Sequence, residues 1–530
     1  MIKTADYIIV GAGAAGCLLA NRLSADKKNS VILLEAGSKD WNPLIKIPLY
    51  AGFLYYLPSL NWGLETSSQD GLNSRKITWP RGKVLGGSTA INGMMYMRGQ
   101  RQDYDGWSDL GLSGWSYEDV LPYFKSFEKN FSHSMSDGYH SSEGELFTAK
   151  STPTNELYDR WLASAKMCGF ISNDDFNGKK QEGLGAYDFN IKNGHRVSAS
   201  KAFLDPIKSR SNLEIITHAH AKKLIFDGTD CKGVAVNLSG EDATFLSKKE
   251  TILSSGAVNS PKILQLSGIG DISKLNKVGV HVVKNSPDVG KNLQDHIGIY
   301  LKYSCKKPVT LFGQMRPDRA ITSFIRALLF GTGPASKVPL EVGGFLKTRD
   351  YLERPDIHVT FVPGLSLATS QSGQMQHGFL TNVYQLRPES KGSINISSKD
   401  SFEKPIIDPN YLSSAKDKEC LREAFKLIRN ISLQSPLDNY RKLELSPGIN
   451  IQEDHEIDDW ISDTADTIFH PVGTCRMGSD RNAVVSGELK VNGINNLRVI
   501  DASVIPNITS ENTSIPTMMI AEKGSTMILS

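Results

Sequence analysis

The chain has 530 residues and a mass of 58.2 kDa, and its 39% hydrophobic and 22% charged residues predict a globular protein with room for a large core. Its 60 basic and 57 acidic residues leave a formal net charge of +3, which excludes the strong basic bias of a nucleic-acid-binding protein. The six cysteines are scattered, without a CxxC pair or a Cys/His cluster at zinc-ligand spacing, so we expect neither disulfides nor a bound metal.

The first 35 residues have the pattern of a dinucleotide-binding βαβ unit. Apolar residues 7–10 predict a buried strand, residues 17–23 a helix, and residues 31–35 a second strand with Glu35 at its end. The first turn carries a GxGxxG fingerprint, which lets a helix begin against a pyrophosphate: Gly11, Ala12, Gly13, Ala14, Ala15 and Gly16. Glu35 suits ribose hydroxyls and disfavours a 2′-phosphate, so the unit favours NAD or FAD; a glycine-rich surface loop is the alternative.

Two segments that follow are predicted to lack regular structure. Residues 81–99 are too polar at their start for a core strand and too rich in glycine for a free helix, so we expect them to lie along a long cofactor. Residues 131–147, rich in Ser, His and Gly, predict an exposed loop or lid.

The pattern of strands changes near residue 300. Before it, strands are predicted at 213–217, 223–226 and 250–254, the last followed by a helix at Pro261. After it come short alternating strands at 300–303, 357–361, 381–386 and 393–396 and a helix over 417–432. The later pattern suits an antiparallel sheet with helices on one face.

The chain offers no segment that predicts export or a membrane span. The first strand begins about six residues from Met1, and no apolar run approaches about 18 residues. We therefore expect a cytoplasmic protein. Residues 321–330 are apolar enough to touch lipid, which leaves peripheral contact with the inner membrane open; a helix packed over a substrate cavity is the alternative.

Four separated blocks make the chain resemble the glucose-methanol-choline (GMC) oxidoreductases, a family of FAD-dependent enzymes. Besides the fingerprint, they are GKVLGGSTAIN at 82–92, GAVNSPKILQLSGIG at 256–270 with VGKNLQDH at 289–296, and residues 469–517, which include FHPVGTCRMG and VIDAS. The match covers nearly the whole chain, and the sequences of its blocks are similar to those of bacterial alcohol and choline dehydrogenases. It implies FAD, bound non-covalently, because Ile91 stands where some relatives have a flavin-linking histidine.

The resemblance also implies the fold and the cofactor contacts. The expected fold is α/β, or α+β overall: a Rossmann-like FAD-binding domain (1–150, 195–300 and 465–530) interleaved with a substrate domain (151–194 and 301–464) built on an antiparallel sheet with helices. Beyond the fingerprint, the implied cofactor-binding residues are Glu35, Ala36, Arg81, Gly82, Val84, Gly86, Gly87, Ser88, Asn92, Gly93, Met95, Ala221, Asp501, Ala502, Pro516 and Thr517. The last two begin a helix whose N-terminus would hold the anionic edge of the reduced flavin.

The resemblance places the catalytic base at His470. Oxidation of an alcohol removes a hydroxyl proton and a hydride, and because flavin takes the hydride, the protein must supply a base. His470 lies in the family's His-Pro-Val-Gly-Thr block; a hydrogen-bonded core histidine is the alternative. Relatives place a second His or Asn against the substrate oxygen, and Ser514 stands at that position here. A serine is shorter than an amide, so a water fills the gap or the alkoxide is held less tightly.

The resemblance implies oxidation of a primary alcohol to an aldehyde, with electrons passed to a quinone-type acceptor or to oxygen. Glu341 aligns with an acid that faces the trimethylammonium group in choline-specific relatives; an acid salt-bridged in a domain interface is the alternative. Choline dehydrogenase, a flavin-dependent lyase or photoenzyme of the same fold, and a weakly active flavin-binding protein stay open, although His470 argues against a photodecarboxylase. The sequence leaves the oligomeric state open.

Overall fold

Two large sheets organise the chain, and each has its own apolar core. The computed structural model describes residues 1–314, 317–365 and 376–530. Helices and both parallel and antiparallel strands are present, so the predicted mixed α/β class is confirmed.

The first sheet has seven strands and contains the predicted βαβ unit. From one edge its strands are Leu213–Ile216, Val31–Leu34, Ile2–Val10, Glu241–Leu253, Asp230–Leu238 and Ala219–Asp227, with Leu497–Val499 also paired to Glu241–Leu253. The first four strands and Leu497–Val499 run parallel, and the last two pairings are antiparallel. Val31–Leu34 is buried throughout, as a parallel strand covered on both faces must be. The strands predicted at 7–10, 223–226 and 250–254 are parts of longer ones.

The helix of the βαβ unit, Ala14–Leu23, begins three residues before the predicted start, directly at the glycine-rich turn. Gly16 permits its close packing, because a Cβ at this position would lie 1.8 Å from the carbonyl oxygen of Gly11. The sequence-based boundary was late because alanines 14 and 15 carry no polar start signal.

The helix predicted at Pro261 begins earlier, at Gly256, and runs to Leu266 with the proline inside it. A proline here leaves the carbonyl of Ala257, four residues back, without its helical amide partner. The hydroxyl of Thr474 donates to that carbonyl at 2.6 Å. A residue more than 200 positions away in sequence therefore allows the helix to pass through Pro261.

The second sheet has six antiparallel strands. In order they are Val342–Leu346, Ile357–Val362, Gly378–Gln385, Ile297–Cys305 and Arg441–Ser446, with Asp466–Thr467 also paired to Ile297–Cys305. The helix Ala415–Leu433 packs on this sheet through apolar side chains that include Leu421, Phe425 and Ile428. The predicted strand at 393–396 is the exception: Ser393–Asn395 pairs with Ile406–Asp408 in a separate two-stranded sheet.

Shorter elements complete the fold. The remaining helices are Pro43–Lys46, Ala51–Leu54, Arg101–Asp109, Tyr117–Phe127, Glu156–Met167, Ile272–Lys277, Pro317–Phe330, Asp454–Thr464 and Ser514–Leu529, with a π-helical turn at Ser200–Leu204. The remaining strands are Leu64–Glu65, Thr78–Trp79, Glu128–Asn130, Leu146–Lys150, Gly183–Ala186, Asp188–Phe189, Ile191–Lys192, His195–Arg196, Ile269–Gly270 and Lys284–Asn285. No helix within the described ranges is both long and apolar enough to cross a bilayer.

The prediction of an exposed loop over residues 131–147 is wrong for His140. Its ring is fully buried, with Nδ1 3.0 Å from Glu128 and Nε2 2.9 Å from Asp175. Glu128 in turn pairs with the buried guanidinium of Arg98. Despite burial, hydrogen bonds to these carboxylates raise the pKa of His140 to about 9, so the polar composition here serves an internal ion network.

Candidate active site

A cavity of about 1330 Å³ is lined by residues of both sheets, among them Val10 and Leu34 from the first and Thr360 and Tyr384 from the second. Drug-sized ligand sites typically occupy about 300–1,000 Å³. This cavity can therefore hold a long cofactor together with a substrate.

The glycine-rich turn forms one end of the cavity. Gly11 adopts φ of 105°, and a Cβ there would lie 2.5 Å from the carbonyl oxygen of Ser254. The helix after the turn has no side-chain cap, and Ala14 and Ala15 line the cavity with the first, unpaired amides of that helix. Free amides at a helix N-terminus fit the pyrophosphate of a dinucleotide.

Glu35 braces this turn and also lines the cavity. Its carboxylate accepts from the backbone amides of Ala12 at 3.0 Å and Gly37 at 2.8 Å. Burial raises its pKa to about 7, against the lowering effect of these amides. A bonded carboxylate oxygen still has room for a ribose hydroxyl.

Most of the predicted cofactor residues meet at this cavity. Those that line it are Gly11, Gly13, Ala14, Ala15, Glu35, Ala36, Arg81, Gly82, Gly87, Ser88, Asn92, Gly93, Met95, Ala221, Asp501, Ala502 and Thr517. Those that do not are Ala12, Gly16, Val84, Gly86 and Pro516. Ala12 and Gly86 instead tie the two glycine-rich segments together through a 2.8 Å backbone hydrogen bond. Ile91 also lines the cavity, and its hydrocarbon side chain offers no atom for a covalent flavin link.

Arg196, which the sequence did not single out, holds the second glycine-rich segment. It donates to the backbone carbonyls of Thr89 at 3.1 Å and Asn92 at 2.6 Å. Burial lowers its pKa to about 9. A buried arginine that donates its hydrogen bonds to backbone carbonyls holds in place a segment that has little regular structure of its own.

His470 also lines the cavity, and it follows a strained residue of the backbone. Phe469, just before it, has φ of 67°, which non-glycine residues seldom adopt. Arg81 donates to the carbonyl of Phe469 at 2.7 Å, and the backbone amide of His470 donates to Asp295 at 2.6 Å. Two charged side chains thus hold the turn that presents the His470 ring.

Hydrogen bonds fix the tautomer of His470. His296 Nε2 lies 2.9 Å from the carbonyl of Leu386, which can only accept, so this nitrogen carries the proton. His296 is neutral, because burial lowers its pKa to about 4, and its Nδ1 is therefore an acceptor. His470 Nδ1 lies 2.8 Å from it and must donate. Nε2 of His470 consequently keeps its lone pair.

Burial lowers the pKa of His470 well below its ordinary value, and the positive charge of Arg81 acts in the same direction. A hydrogen bond with the Asn512 side chain partly offsets this. His470 is therefore a neutral acceptor at neutral pH. Asp295 and His296 both belong to the block at 289–296, where consecutive polar residues between apolar strands were the available signal.

Asn512, not the predicted Ser514, is the side chain whose polar group acts on His470, and it raises the pKa of the ring against the effect of burial. Ser514 also lines the cavity, as the first residue of the helix Ser514–Leu529. An amide two residues before the serine thus supplies the group that the sequence comparison sought at 514.

A buried acid lies behind the cavity wall next to this pair. Glu511 is fully buried, accepts from the Tyr384 hydroxyl at 2.9 Å, and has Oε2 3.6 Å from Nδ1 of His358. Burial raises the pKa of Glu511 to about 8 and lowers that of His358 to about 3, so both are neutral at pH 7. Tyr384 and His358 line the cavity, and the Tyr384 ring centroid lies 5.9 Å from that of His470.

Glu341 does not line the cavity. It is buried, and its carboxylate lies 3.7 Å from Lys337 Nζ. This is the ion-paired arrangement that was the alternative to substrate binding.

Comparison with known proteins decides the family. The GMC oxidoreductase family models match residues 5–298 and 388–521. The oxygen-dependent choline dehydrogenase of Brucella anthropi is 38% identical over 99% of this chain and 95% of its own length. That of Pseudomonas savastanoi pv. phaseolicola is 40% identical over 98% of this chain and 92% of its own length.

The chain belongs to the GMC oxidoreductase family. The predicted resemblance is confirmed, and the protein is an oxidoreductase of this family. Solved structures agree: pyridoxine 4-oxidase from Mesorbium loti superposes with a TM-score of 0.90 at 30% identity, covering 98% of both chains. An Aspergillus oryzae formate oxidase variant, described for its effect on FAD modification, gives 0.93 at 26% identity, covering 99% of this chain and 98% of its own.

Proposed function

We propose that this GMC oxidoreductase oxidises a primary alcohol to an aldehyde with His470 as the base and FAD as the hydride acceptor. One observation carries the proposal: a neutral histidine whose Nε2 keeps its lone pair lines the same cavity as the dinucleotide cradle. Bound FAD would supply the acceptor for the hydride at its N5.

His470 Nε2 would accept the hydroxyl proton of the alcohol while Asn512 holds the ring and the substrate oxygen. The buried site disfavours a charged imidazolium, so His470 would release the proton readily after the reaction. His296 keeps Nδ1 as the donor and thereby directs Nε2 at the reaction. Ser514 would provide a second, shorter hydroxyl contact.

We propose that FAD is bound non-covalently. The cradle fits its parts: amides at Ala14 and Ala15 for the pyrophosphate, Glu35 for the ribose, and the uncapped N-terminus of the helix Ser514–Leu529 for an anionic flavin edge. The FAD-binding unit would consist of residues 1–150, 195–300 and 465–530, and residues 151–194 and 301–464 would hold the substrate.

The lining of the cavity favours an uncharged alcohol. Of the acids that the structure describes, Glu35 and Asp501 line it, and both are already bonded to backbone amides of the cofactor cradle. A quaternary ammonium substrate is typically bound by a carboxylate or by a cage of aromatic rings. Choline is the second candidate, because the relatives named above are choline dehydrogenases and Tyr50, Tyr55 and Tyr300 line the cavity.

Anaerobic mixing with n-alkanols, aromatic alcohols and choline tests both candidates. Bleaching of the flavin band by alkanols at lower concentration than by choline is the expected result. Product formed without bleaching would identify a lyase, and the absence of both would identify a flavin-binding protein without this activity. Reoxidation of the bleached enzyme by a quinone analogue faster than by oxygen would support the proposed quinone-type acceptor.

A further inference from the structure

The helix Pro317–Phe330 turns an apolar stripe towards solvent. Ile321, Ile325, Leu329 and Phe330 are 62%, 46%, 65% and 70% exposed, at spacings that place the first three on one helix face. The opposite face is in use: Phe324, Ala327 and Leu328 pack on Ile47 and Ala335. Single exposed apolar residues are common, but a continuous stripe of this kind marks a contact surface.

This stripe borders the mouth of the active-site cavity. Ala320 and Ser323 of the same helix line the cavity, as do Phe53 and Tyr56, which are 53% and 62% exposed. The Tyr50 ring joins the two parts, with its centroid 6.5 Å from that of Phe53 and 5.8 Å from that of Phe324. We call Phe53, Tyr56, Ile321, Ile325, Leu329 and Phe330 the mouth patch.

Exposed cations lie on this helix and on segments that contact it. Arg319 and Arg326 lie on the helix itself, whose acid is Asp318 in the first turn. Lys46 immediately precedes Ile47, which packs under the helix. Lys192 belongs to a hairpin in which His195 Nε2 lies 3.3 Å from the Leu328 carbonyl. Anionic lipid headgroups attract basic side chains of this kind near the membrane surface.

We propose that the mouth patch docks on an anionic lipid bilayer, with its apolar side chains in the headgroup and acyl boundary and the cavity mouth against lipid. A second copy of the chain is disfavoured as the occupant, because a two-fold contact would bring the same cations against each other. Docking does not depend on the reaction. Its consequence, that a membrane-dissolved alcohol or quinone enters the cavity without crossing water, rests on the proposed function.

Flotation of the purified full-length holoenzyme with phosphatidylcholine vesicles, with and without phosphatidylglycerol, tests the proposal. We expect the wild type to float with the phosphatidylglycerol vesicles. Ile325→Glu/Leu329→Glu should reduce the bound-to-free ratio by about tenfold or more, because two charges enter the apolar boundary. Arg319→Gln/Arg326→Gln should remove most of the preference for phosphatidylglycerol.

Ile272→Glu is the matched control, since Ile272 is 48% exposed on a helix away from the mouth patch, and this variant should float like the wild type. Failure of the wild type to float, or flotation of the Ile325/Leu329 variant at the wild-type level, would overturn the proposal. The proposal would also be overturned if light scattering found that the wild type is a dimer, that Ile325→Glu/Leu329→Glu is a monomer, and that neither binds vesicles. Flavin reduction by a short, water-soluble alcohol should be equal in all these proteins, so a failed reaction and failed docking are read separately.

Discussion

At the scale of single residues, the chemistry depends on hydrogen bonds that no local pattern specifies. The Leu386 carbonyl sets the tautomer of His296, and His296 sets that of His470. Each step uses an atom that has only one role, so protonation is decided by geometry and not by pH near neutrality. In the proposed reaction, the residue that would take the proton is therefore already in the reactive form.

Replacing His470 with Ala should slow flavin reduction by alcohol about 100-fold or more, the usual scale for a positioned general base. FAD content should stay at the wild-type level, because the cradle residues are untouched. Stopped-flow reduction and the flavin absorbance of the purified protein measure the two quantities. Near-normal reduction would place the base elsewhere.

Asn512 and Ser514 should respond in opposite ways. Asn512→Ala removes the side-chain contact to His470 and should slow flavin reduction by about tenfold, the scale of one hydrogen bond of about 1–1.5 kcal/mol.

Ser514→Asn adds a longer donor and should raise the rate of flavin reduction several-fold with a short alcohol, by about 1 kcal/mol. A loss with a long alcohol alone would mean that Ser514 makes room for a bulkier substrate. Unchanged rates for Ser514→Asn with every alcohol would show that residue 514 does not reach the substrate.

Glu511 should make the free energy of unfolding of the protein fall as the pH rises. Its pKa is about 8 in the folded protein against an ordinary value of 4.5, so the folded state binds the extra proton between these values. Glu511 makes its full contribution to the free energy of unfolding below about pH 4.5. This contribution is lost as the pH rises to about 8, and the free energy of unfolding falls by up to about 1.4 kcal/mol per pH unit. Glu511→Gln imitates the neutral acid and should lack this slope.

Thermal unfolding of both proteins from pH 5 to 9 measures the difference. The two should be similar at pH 5, with Glu511→Gln the more stable above pH 8. If Glu511 were instead ionised and paired with a protonated His358, the Gln variant would be the less stable at neutral pH. Glu511→Ala serves as the control, because it loses the Tyr384 hydrogen bond at every pH.

At the scale of elements, the two glycine-rich segments owe their form to contacts with each other. A Cβ at Gly87 would lie 2.7 Å from Cα of Gly13, and the Ala12 carbonyl accepts from the Gly86 amide. The second segment therefore has no room for a side chain at Gly87. Two stretches far apart in sequence thereby form one cradle.

Substitutions at Gly16 and Gly13 should distinguish an effect on folding from an effect on cofactor binding. Gly16→Ala would place Cβ 1.8 Å from the Gly11 carbonyl oxygen and should lower the melting temperature of the FAD-free protein, with a cost of about 1–3 kcal/mol for overpacking. Gly13→Ala meets no atom within 4 Å and should leave that temperature unchanged, while weakening FAD binding in the cavity it lines. Gly106→Ala, on a helix surface with equally open space, is the control for both. Equal melting temperatures for Gly16→Ala and Gly106→Ala would contradict the packing argument.

At the scale of the molecule, the cavity is shared by the two sheets, so a bound cofactor should stabilise the whole fold. A ligand that binds only the folded state adds RT ln(1 + [L]/Kd), about 2.7 kcal/mol at a concentration one hundred times Kd. Saturating FAD should therefore raise the melting temperature of FAD-free protein.

The link to the cofactor should be non-covalent, because Ile91 offers no atom for a bond. Acid precipitation should release the yellow flavin into the supernatant, where its absorbance measures it. Flavin that stays with the pellet would show attachment through another residue.

The sequence by itself determined the class of fold and predicted the glycine-rich turn and the acid that line the cavity. The fingerprint at 11–16 and the acid at 35 act through neighbours in the chain, and buried strands show directly as apolar runs, so local patterns were sufficient. It also placed His470, through the family block that surrounds it.

Only the tertiary structure decided how the other end of the site works. Asn512 rather than Ser514 reaches His470, Thr474 supports the helix through Pro261, and Glu341 faces Lys337 instead of the cavity. Each outcome depends on the direction in which a side chain points, and this direction follows from packing in the folded protein, which sequence spacing does not encode.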